Sequence, residues 1–138
     1  MGKNIFLLPA LIISVVVLAL HLLALEYFLY WTHGWFDLLI HALAGAMIGF
    51  ISVWVLSRSK SIFFVKPFKF FLIIFITTSL ISISWEIFEF IFGLTFTSLN
   101  YVQDTILDIV MTVLGGMTVF LYLVFISKFF LKEKPNAE

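Results

Sequence analysis

Residues 36–56 read FDLLIHALAGAMIGFISVWVL. The run matches the roughly 20 apolar residues needed to cross a hydrocarbon core, yet its two ionisable residues, Asp37 and His41, both sit at its N-terminal end. Arg58 and Lys60 follow at the other end. Being four apart, Asp37 and His41 share one helical face, and Gly45 and Gly49 continue that stripe. The segment therefore reads as a membrane-spanning helix that is polar at one end, small along one face and basic beyond the far end.

The rest of the chain repeats this plan. Further apolar runs at about 5–31, 67–93 and 105–130 are each long enough to span a bilayer, and no repeat or low-complexity block separates them. The expected fold is a single all-α domain over 1–138, a bundle of four transmembrane helices. Composition agrees: 63% of the 138 residues are hydrophobic and 12% charged, with a mean hydropathy of +1.18. A soluble core of this size could not hide so much apolar surface. Lys3 before the first run suggests a signal peptide, but the run is too long and no small-residue cleavage pair follows, so it reads as a retained helix. A net charge of zero argues against nucleic acid as a partner, while membrane lipids are expected partners. Cysteine is absent, which excludes disulfide and thiolate chemistry.

Sidedness follows from the basic residues. Lys3, Arg58, Lys60, Lys66, Lys69, Lys128, Lys132 and Lys134 all fall on one side if both termini and the loop at 57–66 are cytoplasmic. The links at 32–35 and 94–103 then face the exterior of the cell membrane. Tyr27, Tyr30, Trp31, Trp35 and Tyr101 are expected to form an aromatic belt at that interface.

The acids gather at the same end. Glu86 and Glu89 are three apart, with Ser82 and Ser79 continuing inward, and Asp104 and Asp108 are four apart, followed by Thr112 and Gly115. At about 1.5 Å per residue, His41 and Asp108 lie roughly 6 Å inward of Asp37 and Asp104. Glycines 45, 49, 115 and 116 would permit the close helix approach that a shared layer needs, although packing alone accounts for such residues. A carboxylate at mid-membrane costs on the order of 3 kcal/mol, and no Lys or Arg lies on that side. Protons or bound cations must compensate. Five carboxylates and one imidazole suit one or two divalent ions, with Asp37, His41, Glu86, Glu89, Asp104 and Asp108 as the expected ligand set. The competing reading has the acids protonated and paired, or solvated in a funnel. Oxygen-rich ligation with one His suits Mg, Mn, Ca or Fe and admits Zn.

Other polar residues carry less weight. His21 lies near the middle of the first helix, where hydrogen bonding within the bundle is as good an account as function. Glu26 has the depth of the cluster but another face. His33 reads as solvated, and Trp85 as a packing residue.

The arrangement Asp37-x3-His41, Trp85-Glu86-x2-Glu89 and Asp104-Thr105-x2-Asp108-x3-Thr112-x2-Gly115 resembles the YjdF-like family of small multi-pass proteins. That family is similar in turn to the VanZ-like proteins associated with teicoplanin resistance. The resemblance covers roughly 37–116 and implies a membrane-embedded helical domain with an acidic, His-containing site; it implies no particular reaction.

Three functional classes fit. In one, bound metal activates water or polarises a phosphoryl or acyl oxygen on a lipid or lipid-linked substrate, with Glu89 as general base, giving a metal-dependent hydrolase or transferase. In the second, the cluster binds or conducts cations or protons without covalent chemistry, although the faces turn apolar below Ser79, Gly49 and Thr112. In the third, the chain is a membrane assembly subunit whose buried acids fix helix register.

Overall fold

A computed structural model describes residues 5–58, 67–93 and 101–132, with side chains followed to residue 126. The described residues form five helices: α1 (Leu7–Glu26), the single turn α2 (Leu29–Thr32), α3 (Trp35–Arg58), α4 (Pro67–Phe92) and α5 (Tyr101–Lys132). Within lipid, every backbone N–H and C=O needs an internal partner, which favours unbroken helices for such apolar runs. The four long helices are apolar and long enough to cross a membrane, with α5 spanning over Tyr101–Ile126. Their outer surfaces are apolar, with Leu22, Leu80, Phe90 and Leu121 each more than half exposed. That surface suits lipid.

Local chemistry sets the helix ends. Pro67 opens α4, where its missing N–H would have been unpaired in any case. Gly93, with φ +64°, closes it. The first span differs from the expected 5–31: α1 stops at Glu26, where the Tyr27 N–H donates to the Leu23 carbonyl at 2.9 Å. Phe28 then takes a left-handed conformation, φ 55°, which costs a non-glycine residue roughly 1–2 kcal/mol. The reversal turns Tyr30 inward onto Ala24 and Phe36, leaving it 3% exposed. Tyr30 is thus a core residue and no part of the expected aromatic belt; Tyr27, Trp31 and Trp35 are exposed at that end. The last span starts at Tyr101, four residues before the expected 105, because a polar first turn containing Asp104 precedes its apolar run.

The third helix is the hub, packing against α1, α4 and α5. It crosses α5 closely: a Cβ on Gly45 would strike the Thr112 carbonyl, and one on Gly115 would strike the Ala42 carbonyl. Backbone cannot rotate away, so both positions need glycine. A third close approach sets Gly116 against the Thr78 side chain of α4. Beyond the crossing, Val53, Ile74 and Val119 close the core from α3, α4 and α5.

The polar ends are opposed along the bundle. Asp37 lies in the first turn of α3 and Asp104 in the first turn of α5, while Arg58 lies in the last turn of α3, its guanidinium carbon 5.5 Å from the Trp54 ring centroid. Residues 59–66 and 94–100, with most of the loops read as cytoplasmic and external, lie outside the described residues, as do Lys3, Lys60, Lys66 and Lys134.

Candidate metal centre

The close α3–α5 crossing sets His41 and Asp108 facing each other one turn away from Gly45 and Thr112. His41 is 7% exposed, and Asp108 and Thr112 are each 2% exposed. The Thr112 hydroxyl donates its only proton to the Asp108 backbone carbonyl at 2.8 Å. It also lies 3.2 Å from His41 Nδ1, where it can then only accept. In that arrangement His41 carries its proton on Nδ1, which leaves the Nε2 lone pair free.

That lone pair points at two carboxylates. Nε2 is 3.7 Å from Asp37 Oδ1 and 3.9 Å from Asp108 Oδ1. One ligand atom from each of the three residues lies within 4.8 Å of the others. Asp108 Oδ1 is buried without a hydrogen bond. With both carboxyls ionised, three acceptors converge with no donor between them. A proton shared by imidazole and carboxylate would draw the heavy atoms to about 2.7–2.9 Å. Around a common ion with bonds near 2.1 Å, adjacent ligand atoms sit roughly 3–3.6 Å apart, closer than the 3.7 and 3.9 Å measured from Nε2 and the 4.8 Å that bounds the set, so the three side chains would draw in on an ion.

The remaining acids surround this triad without joining its close set. Glu86 is 5% exposed, with Oε1 buried and lacking a hydrogen bond. Glu89 accepts a hydrogen bond from Trp85 Nε1 at 2.9 Å, which gives Trp85 a polar contact that a purely packing role did not anticipate. Asp37 is close enough to Glu89 and Asp104 for mutual repulsion, as Asp108 is to Asp37, Asp104, Glu86 and Glu89. The α3 and α5 N-termini offer only about half a positive charge each. They cannot neutralise five carboxylates, and Glu86 and Glu89 stand at the C-terminal end of α4, where the helix dipole adds to the repulsion.

A second polar pair completes this end. His21 Nδ1 and the Tyr30 hydroxyl are 2.6 Å apart, and both line one cavity with Asp37, His41 and Glu89. Burial, then the charges of Asp37 and Glu89, push the Tyr30 phenol up to about 12, so it stays protonated. Sequence reasoning missed Tyr30 as a site residue because the α1–α2 reversal carries no Gly or Pro signal. Thr112 was read as stripe continuation; its spacing of four from Asp108 was the available sign of its part in orienting His41. Glu26 is exposed and is not among the residues that line this cavity.

The chain belongs to the family described as Predicted membrane protein (DUF2238), whose profile matches residues 4–129. No curated protein and no solved structure matches it.

Proposed function

We propose that Asp37, His41 and Asp108 bind a divalent cation at the extracytoplasmic end of the bundle, and that this ion serves a metal-dependent hydrolase or transferase acting on a lipid or lipid-linked substrate. The observation that carries the proposal is the convergence of three lone-pair donors, the buried His41 and Asp108 and the part-buried Asp37. Three protein ligands leave coordination positions for water or substrate, which is the arrangement of a catalytic ion more than of a structural one. Such an ion would polarise a phosphoryl or acyl oxygen and acidify bound water. Glu89, which lines the same cavity, would take the proton from that water. Glu86 and Asp104 are available to complete the shell or to bind a second ion. The resemblance to YjdF-like and VanZ-like proteins supports a membrane-embedded acidic site of this kind.

Two results test the reading. In a chelated preparation near neutral pH, adding Mg, Mn, Ca or Zn should raise the thermal midpoint, because binding to the native state stabilises it by mass action. No rise with any of these ions would leave protonated acid pairs as the better account. Sidedness rests on the partition of basic residues. An added Cβ at Gly34 meets nothing within 4 Å, and the chain has no cysteine of its own. Gly34→Cys should therefore react with an impermeant thiol reagent in intact cells; protection until the cells are opened would reverse the orientation.

A further inference from the structure

The cavity beside the triad has a volume of about 380 Å³, within the roughly 300–1,000 Å³ of small-molecule sites. Its ionisable residues gather at one end, where His21, Tyr30, Asp37, His41 and Glu89 meet, and the hydroxyls of Ser14, Ser82 and Thr112 are spread along the rest of the lining. Away from that end its walls become apolar, through Val17 and Leu18 of α1, Ala44 and Ile48 of α3, and Ile81 of α4. From Asp37 to Ile48 the lining runs roughly 16 Å along α3 at about 1.5 Å per residue. That is about half of a hydrocarbon core near 30 Å thick, the depth of one leaflet. At the inner end the Ser14 hydroxyl lies 3.0 Å from Met47 Sδ, tying α1 to α3.

One side of this cavity, between α1 and α4, is loosely closed. The first helix packs on α3 but scarcely on α4, although both line the cavity. Leu18 on one rim is 58% exposed, and Ile81 and Trp85 on the other are 50% and 48% exposed. What lies against such a gap within a membrane is lipid. The polar end offers no fixed cation among the described residues, and its carboxylates would repel an anion. A bound ion reverses that preference: a hard divalent cation with open positions takes phosphate oxygen.

Resting on the metal reading above, we infer that the substrate is a lipid phosphate: one hydrocarbon chain enters between α1 and α4 and lies along α3, setting its phosphate on the ion held by Asp37, His41 and Asp108. The chain supplies the apolar contact and the ion supplies the attraction for the head. Neither alone explains a cavity that is one leaflet deep and acidic only at its top.

The test uses hexadecyl phosphate carrying a photoreactive group on its chain, added to the manganese-loaded protein in lipid nanodiscs, with adducts mapped by mass spectrometry. Adducts are expected at Val17, Ile48 or Ile81. They should fall about tenfold or more in Ala44→Phe, the loss expected from expelling two methylene groups from apolar contact. Leu18→Trp, on a lipid-exposed rim where folding is not threatened, should also reduce them, while Leu121→Trp on the outer face of α5 should not. Chelation should reduce labelling by the phosphate and leave labelling by the matching photoreactive hexadecanol unchanged. Labelling insensitive to both cavity variants, or equal labelling by alcohol and phosphate with metal present, would overturn the inference. Manganese binding is read separately from the loss of its aqueous paramagnetic signal. If none binds, the metal reading has failed; hexadecanol labelling that still responds to Ala44→Phe would then retain the chain route alone, and labelling that does not would remove it as well.

Discussion

Asp108→Asn is expected to raise the thermal midpoint of the metal-free protein and to abolish the rise that metal produces. Asp108 is 2% exposed, its Oδ1 lacks a hydrogen bond, and it is repelled by Asp37, Asp104, Glu86 and Glu89. Removing one partner of a buried polar cluster is ordinarily destabilising because it leaves another group unsatisfied. Here the sign inverts. The amide takes away a repelling charge and brings an N–H donor to a point where His41 Nε2 and Asp37 Oδ1 are both acceptors. The same change would remove a ligand of the proposed ion. With metal about a hundredfold above its Kd, the wild type should gain roughly 2–3 kcal/mol, and the variant close to nothing. Thermal unfolding of both proteins, with chelator and with a metal series, checks both halves. A variant less stable than wild type in chelator, with an intact metal response, would show that Asp108 is a structural residue.

Thr112→Val should lower metal affinity by about 10- to 100-fold, the usual effect of losing a partner that orients a ligating histidine, and should leave the fold intact. Valine nearly matches threonine in shape, so the α3–α5 crossing is undisturbed. The Asp108 carbonyl keeps its main-chain helical environment, but His41 Nδ1–H loses the oxygen 3.2 Å away that fixes its tautomer. Thr112→Ser keeps that oxygen and should restore most of the affinity. Manganese titration of the three proteins separates the cases: a loss in valine that serine recovers identifies hydrogen bonding, whereas equal losses in both would point to packing by the threonine methyl group.

Much of the architecture was legible because the bilayer imposes strong rules on sequence. Length and hydropathy mark the four spans, and the i, i+4 spacing of Asp37 with His41 and of Asp108 with Thr112 reveals shared faces. The glycines suggested close packing, but not which helices meet. That depends on the paired contacts of Gly45 with Thr112 and of Gly115 with Ala42. For the same reason six residues were expected together, whereas the structure draws Asp37, His41 and Asp108 into the closest set and leaves Glu86, Glu89 and Asp104 around it. Depth along a helix can be counted from sequence, but the crossing of two helices must be seen. Tyr30 illustrates the other limit, since the left-handed residue that turns it inward is Phe28, a type with no preference for that conformation.

The charge pattern of the chain takes on a physical sense in this arrangement. An acidic layer without a fixed cation is unstable in hydrocarbon unless something positive is drawn to it. Its position beneath Trp31 and Trp35, both exposed at the bundle end, places it within reach of the head-group layer. Ions arriving from the aqueous side and lipids arriving from the bilayer would meet there.

X-ray absorption at the manganese edge of the loaded protein tests the central claim most directly. Binding at the proposed Asp37, His41 and Asp108 site predicts a shell dominated by oxygen with one imidazole nitrogen, and loss of the imidazole scattering in His41→Ala. A shell of oxygen alone in the wild type, indistinguishable from the hydrated ion, would contradict it.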